Sequence, residues 1–205
     1  MTGYAQSKYI AESLLTDAAA RWHLDISILR LGQVVGSSDA GSSERWESHD
    51  WVHSMVRLCR TTGLIPSDLV QVDWVPVDRM SRAMLEIALR PRRDDAGGQA
   101  NVFHLVHPRQ IPFAHLADAI QASSGPASQQ LGFKEWVEAL GNLPAGMLSA
   151  GIEEERIRIF PFFASLVGKW CPSMDTSRAC MASPTLAALR PIDGGLLERW
   201  CRDWV

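Results

Sequence analysis

The stretch from Tyr4 to Trp22 contains neither glycine nor proline, and it leads directly into Asp25-Ile26-Ser27-Ile28-Leu29-Arg30-Leu31. Ile10, Leu14 and Leu15 recur at helical spacing, while Ala11 and Ala18 to Ala20 add helix propensity, so the first stretch is predicted as a helix. The second alternates with period two near its start, as a strand does. A helix feeding straight into a strand points to an α/β architecture.

The later chain is read by the same periodicities. Gly32 and Gly36 bracket a turn, Gly36 to Glu44 is a Gly- and Ser-rich loop, and Asp50 to Thr61 places Trp51, Met55, Leu58 and Cys59 at helical intervals. Val70 to Val77 alternates as a strand, and Asp78 is placed to cap a helix through Met80, Ala83, Met84 and Ile87. Pro91 to Gly98 is a charged surface loop, Asn101 to Val106 a further strand, Ile111 to Ile120 a helix start, and Ser123 to Gln130 a polar linker. Gly132 to Leu140, Glu153 to Lys169 and Gly194 to Val205 are helical, with capping turns at Asp175-Thr176-Ser177 and Ser183-Pro184-Thr185. Two parts are expected: a mixed α/β part over 1–107 and a mostly helical one over 108–205.

Composition narrows the function. With 205 residues and 46% hydrophobic content, there is material for one sizeable core or two small ones. A net charge of −3 without a basic stripe argues against nucleic acid, and no apolar run approaches a membrane span. The N-terminus has no charged segment followed by an apolar one, so a cytoplasmic protein is expected. Cys59, Cys171, Cys180 and Cys201 lack zinc-type spacing and are expected as free thiols, and Trp170, Trp200 and Trp204 imply a C-terminal helical region packed with large side chains. His49 and His53 lie four apart without a third ligand and are read as surface histidines, so no metal site is expected; His104 and His107, at a strand end, are read as structural. No Gly-x-Ser-x-Gly nucleophile elbow occurs.

Tyr4 and Lys8 carry the most specific chemistry. Four residues span just over one helical turn, so both side chains project from the same face. A phenol with a pKa of about 10 is ionised to only about one part in a thousand at neutral pH. A nearby cation favours the phenolate and makes proton exchange with a carbonyl oxygen feasible. Spacing alone also describes many ordinary surface pairs, so the surrounding residues matter.

Gly3-Tyr4-Ala5-Gln6-Ser7-Lys8-Tyr9-Ile10-Ala11-Glu12 resembles the active-site helix of extended short-chain dehydrogenase/reductases, and in particular the terminal thioester reductase domains of nonribosomal peptide synthetases and carboxylic acid reductases. In the same order as in that family follow Arg30-Leu31-Gly32-Gln33-Val34-Val35-Gly36, Val72-Asp73-Trp74-Val75-Pro76-Val77-Asp78, Asp175-Thr176-Ser177, Ser183-Pro184-Thr185-Leu186 and Pro191-Ile192-Asp193. The resemblance implies a partial Rossmann-like fold with a helical substrate-binding subdomain. It implies Tyr4 as proton donor, Lys8 as the group that tunes Tyr4 and holds the nicotinamide ribose, and Leu31 and Val34 beside the nicotinamide. It also implies NADPH as cofactor and a carrier-bound thioester, or a related small molecule, as substrate. Arg156, Arg158 and Lys169 are candidates for the phosphate of a carrier arm, although solvated helix charges are the simpler reading. The Gly36 to Pro66 region and the C-terminal helices are expected to form the substrate pocket and the carrier face.

No strand, Gly-rich turn and helix of the kind that cradles a pyrophosphate can be read in the sequence, and the family's Ser or Thr partner of the tyrosine falls upstream of it. The expectation is therefore a fold lacking its N-terminal nucleotide-binding half, with NADPH held weakly by this chain alone. An apolar face on the Tyr4 helix and the Ile26 strand would be covered by a homo-oligomer or by another polypeptide. Two further readings stand beside a reductase half: a redox-independent enzyme performing Dieckmann-type cyclisation with Tyr4 and Lys8, and a non-catalytic module that binds a carrier protein or synthase.

Overall fold

A computed structural model describes residues 3–39, 50–69, 71–90, 98–124, 127–144, 146–169 and 173–203. The chain forms two compact units, one comprising 1–34, 73–108 and 174–189 and the other 35–72, 109–173 and 190–205. The chain changes unit at 34/35, 72/73, 108/109, 173/174 and 189/190.

The first unit opens with helix α1 (Gly3–Trp22), followed by strand β1 (Ile26–Leu31). His23 ends the helix at φ 50°, in the left-handed region more often taken by glycine, and Leu24 N reaches back to Ala19 O at 3.1 Å. The chain leaves this unit at the short strand β2 (Val34–Val35). The second unit then contributes α2 (Trp51–Thr62) and β3 (Leu64–Pro66), and the chain returns through β4 (Val75–Pro76), α3 (Val77–Ala88) and β5 (Ala100–Leu105).

Strands β1 and β5 pair in parallel, from Ile26 opposite Ala100 to Leu31 opposite Leu105. Phe103 and Leu105 are fully buried and pack with Val75 and with Met80, Ala83 and Ile87 of α3. Helices α7 (Ser177–Ala182) and α8 (Pro184–Ala187) complete this core with Ala179 and Leu186. Strand alternation turns His104 to the opposite face from Phe103 and Leu105.

A carboxylate fastens α8 to α3. Glu86 accepts from the Ser183 hydroxyl at 2.6 Å, the Thr185 hydroxyl at 2.6 Å and the Thr185 amide at 3.1 Å. Burial works against ionisation of Glu86, but these three donors and Arg82 outweigh it and hold the carboxyl below its ordinary range. Ser183 also accepts from Leu186 N at 3.0 Å, so one hydroxyl both caps α8 and docks it.

The second unit is built around aromatic packing. Asp50 caps α2, accepting from Val52 N at 2.8 Å, and Gly63 closes it at φ 72° with its amide on Cys59 O. Helix α4 (Phe113–Ser124), β6 (Gln129–Leu131), α5 (Phe133–Gly141), α6 (Ala150–Leu166) and α9 (Gly194–Asp203) complete the unit, with β6 parallel to β3. Trp136 of α5 meets Phe163 of α6 edge-on at 5.0 Å and donates its indole N–H to Leu64 O at 2.9 Å. Trp200 of α9 is buried and donates to Ser37 O at 3.2 Å, as its burial requires. Trp170 and Trp204 lie outside the described residues.

Three sequence expectations are corrected. Residues 71–77 are not a continuous strand: Val72 makes an isolated antiparallel bridge to Ile111, and β4 is short because Pro76 has no N–H for a ladder. Asp78 is not the cap of α3. The helix begins at Val77 with Pro76 in the cap position, which puts Asp78 inside the first turn, where its charge faces the helix N-terminus. Nor is 123–130 merely a linker: Ser123 and Ser124 donate to Ile120 O and continue α4, and Gln129 enters β6 with its amide on Gly63 O at 2.7 Å.

Gly32 follows β1, and a Cβ there would lie 2.6 Å from Val106 Cγ1. Gly32→Ala is expected to destabilise the fold by roughly 1–3 kcal/mol in urea titrations. Combined with Val106→Ala, the loss should be smaller than the sum of the two single changes.

Candidate functional site

Tyr4 and Lys8 lie on the first two turns of α1, and the Lys8 ammonium stands 5.3 Å from the centroid of the Tyr4 ring. This is within cation–π range and confirms that the two side chains share a face. Tyr4 is 74% exposed, so its hydroxyl is open to an incoming group. Ser7 turns inward along the helix and donates to Tyr4 O at 2.8 Å.

Leu31, at the end of β1, is exposed, and Val34, at the start of β2, is half-buried. The turn between them is held by the backbone. Gly32 N donates to Leu105 O at 3.0 Å and Val75 N to Gln33 O at 2.9 Å, while the Gln33 side chain donates to Val34 O at 2.9 Å. These bonds leave Leu31 and Val34 on a backbone fixed at both ends.

Helix α1 is seated on few residues. Ala19 is its buried residue, Glu12, Ser13 and Ala18 are half-buried, and Tyr9, Ile10, Leu14, Leu15 and Trp22 are exposed. Glu12 therefore carries much of the contact with β1, gripping Arg30 in a two-pronged ion pair, Nε to Oε1 at 2.9 Å and Nη2 to Oε2 at 2.5 Å. The Arg30 guanidinium beside it holds the Glu12 carboxyl below the ordinary carboxylate range. Arg30 Nη1 continues to His104 Nε2 at 3.3 Å, and His104 Nδ1 meets Asp175 O at 3.1 Å. Glu12 and Arg30 were visible in the sequence within their motifs. Their connection through His104 was not, because it depends on the β1–β5 register that places Arg30 opposite His104.

The remaining candidates have structural partners or stand apart. Arg156 Nε donates to Glu153 and its Nη1 to Leu140 O, at 2.9 and 3.0 Å, and Arg158 donates to Ser54 at 3.1 Å. Lys169 lines an open cleft of about 240 Å³ with Asp68, Leu69, Phe133, Lys134 and Leu166. His53 is not a surface residue. It is buried on α2 with its Nδ1 4.0 Å from buried Glu155, and burial pushes its imidazole down. His49 lies outside the described residues, and among the described residues no His, Cys, Asp and Glu group is arranged to hold a metal ion. His107 is buried, and its amide donates to Asp73 O at 2.8 Å. Cys59, Cys180 and Cys201 are free thiols; burial pushes Cys59 up, and Cys201 up to about 12, which makes these two inert. No described helix is long and apolar enough to cross a membrane.

The residues present fit the ribose end of a nicotinamide dinucleotide, with an exposed phenol and an ammonium on one helical face. Among the described residues, those around the turn after β1 do not fit its pyrophosphate. The glycine after β1 serves close packing against Val106, and the chain continues from it into β2 rather than into a helix N-terminus.

Residues 1–84 match the family described as male sterility protein, an NAD-binding family. The chain is 27% identical over 217 residues to a 3-methylorcinaldehyde synthase of Sarocladium schorii, covering 99% of this chain and 7% of that protein. It is 24% identical over 210 residues to an adenylate-forming reductase of Aspergillus terreus, covering 98% of this chain and 18% of the relative. The solved terminal R domain of the myxalamid PKS-NRPS pathway superposes with a TM-score of 0.78 at 26% identity, over 99% of this chain and 50% of that one. Over nearly its whole length the chain is thus similar to thioester reductase-type short-chain dehydrogenase/reductases, and it has an α/β, partial Rossmann-like fold. The chain spans half the length of the solved domain and a small part of the curated relatives.

Glu12 and Glu86 both have lowered pKa values, so their contribution to stability is fully present above the unfolded carboxylate pKa of about 4.3 and is lost as pH falls through their folded values. Glu12→Gln with Glu86→Gln should lower stability at neutral pH and flatten its fall below about pH 5, measured by thermal melts across pH.

Proposed function

We propose that this chain is the tyrosine-bearing part of a thioester reductase, which releases an acyl chain from a carrier as an aldehyde or alcohol once a nucleotide-binding α/β half is joined to it. The observation that carries this reading is the Tyr4–Lys8 pair, set on one exposed face of the helix that the reductase resemblance marks as catalytic. Two features support a joined half: the uncovered apolar residues of α1, and a parallel β1–β5 pair of a kind that in folded proteins lies between covering layers.

In this reading a bound NADPH supplies the hydride. The protein's part is to hold the thioester carbonyl against Tyr4. As negative charge develops on the carbonyl oxygen, the Tyr4 hydroxyl donates its proton there, and the Lys8 ammonium stabilises the phenolate left behind. Collapse of the tetrahedral centre returns the hydroxyl proton to the Tyr4 phenolate, re-forms the C=O bond and breaks the C–S bond, and the departing thiolate takes a proton from water to become the carrier thiol. Lys8 would also hold the ribose hydroxyls, and Leu31 and Val34 would form the apolar wall on the nicotinamide side. The substrate is a thioester on a carrier protein or a small-molecule analogue of it.

The test uses this chain fused to a nucleotide-binding half and supplied with an acyl-pantetheine thioester. NADPH oxidation with aldehyde formation is expected, and Tyr4→Phe should lower the turnover by about 10²–10⁴-fold. An unchanged rate in Tyr4→Phe overturns the assignment of the proton donor. The chain without the added half is expected to bind NADPH more weakly than micromolar in a fluorescence titration; micromolar binding would overturn the need for a second half.

A further inference from the structure

The chain of contacts from Glu12 through Arg30 to His104 constrains its own protonation. A guanidinium has only donors, so where Arg30 Nη1 meets His104 Nε2 at 3.3 Å, the imidazole nitrogen must be the acceptor. A carbonyl has only lone pairs, so where His104 Nδ1 meets Asp175 O at 3.1 Å, that nitrogen must carry the proton. Both contacts hold together only for a neutral imidazole with its proton on Nδ1. Protonation at Nε2 would set an N–H and a positive charge against the guanidinium.

Tyr4, Lys8 and Glu12 are spaced i, i+4, i+8 and lie along one side of α1. Beyond small Ala18 and Ala19, Glu12 is among the few α1 side chains that are even half-buried, so its grip on Arg30 sets how the helix is rotated about its own axis. Arg30 and His104 face each other across the parallel ladder. Asp175 in turn caps α7, its carboxylate accepting from Ser177 N at 2.9 Å. The charged groups facing His104 are Glu12 from α1, Arg30 from β1, and Asp175 ahead of α7, whose carboxylate also faces Arg178 on that helix.

We propose that His104 is a positioning residue: as a neutral Nδ1–H imidazole it buttresses Arg30, which through Glu12 sets the orientation of the Tyr4–Lys8 face, and its protonation releases that face. This rests on the reading of Tyr4 and Lys8 as the proton-transfer pair. Its test needs neither cofactor nor thioester, so the two can fail separately.

The test is made on the full chain. Nitrogen-15 NMR of histidine-labelled protein at neutral pH should show His104 with a pyrrole-type Nδ1 and a pyridine-type Nε2; the opposite tautomer, or an averaged one, overturns the proposal. Hydrogen exchange followed by mass spectrometry should show α1 amides exchanging roughly tenfold faster, after correction for intrinsic rates, once the imidazole is protonated. His104→Gln retains a side-chain acceptor for Arg30 and should remove this pH step while keeping the protection found at neutral pH. His104→Leu should show the loosened α1 at every pH, with α2 unchanged as the control for overall folding. If His104→Leu does not fold, the wild-type tautomer and the wild-type and His104→Gln pH profiles decide. A pH step of the same size in His104→Gln, or no step in the wild type, overturns the proposal.

Discussion

The parallel pairing of β1 with β5 is the contact on which the first unit depends. Parallel neighbours cannot be joined by a tight turn, so the chain between Leu31 and Ala100 makes a long excursion through the second unit and α3 before β5 can form. The pairing turns Phe103 and Leu105 into a core shared with α3, α7 and α8, and it sets His104 opposite Arg30 on the other face. A slip of one residue would exchange these faces, placing an imidazole in the core and a phenyl ring against the ion pair.

Two carboxylates then fasten helices in different ways, one to another helix and one to the sheet. Glu86 is satisfied by two hydroxyls and an amide, and it binds the late segment at Ser183 and Thr185 to α3. Glu12 is satisfied by one guanidinium and carries α1, a helix whose apolar residues mostly face outward. A helix held this way is oriented by charge and hydrogen-bond geometry more than by packing. That suits the proton-transfer role proposed for Tyr4 and Lys8, since small rotations of the helix move the two together.

Much of the fold was legible because its signals are local. The Tyr4 to Trp22 run, free of Gly and Pro, becomes α1, the alternation after Asp25 becomes β1, and the expected helices after Asp50 and Gly132 appear within a residue or two of their bounds. The misreadings arose where a neighbour decided the outcome. The alternation of residues 71–77 meets the strand pattern, but Val72 makes an isolated bridge, and the ladder resumes at Val75 only to stop at Pro76, which lacks a donor. Ser123 and Ser124 look like linker residues until their hydroxyls are seen to bond back to Ile120 O. His53 looks like a surface histidine until α6 brings Glu155 to within 4.0 Å.

The Tyr4–Lys8 pair needed no structure to be recognised, because an i, i+4 spacing on a predicted helix already places two side chains on one face. The order of the later motifs likewise needed only the residues, and it sufficed to point to a reductase relative. What had to come from the folded chain was every relation between distant segments. Arg30 meets His104 through strand register, Ser183 meets Glu86 through helix docking, and Gly32 is glycine because Val106 occupies the space a Cβ would need. Periodicity reports which way a side chain faces relative to its own backbone. Which group it faces depends on the free energy of bringing together residues as much as 163 positions apart, and that is settled only when the core closes.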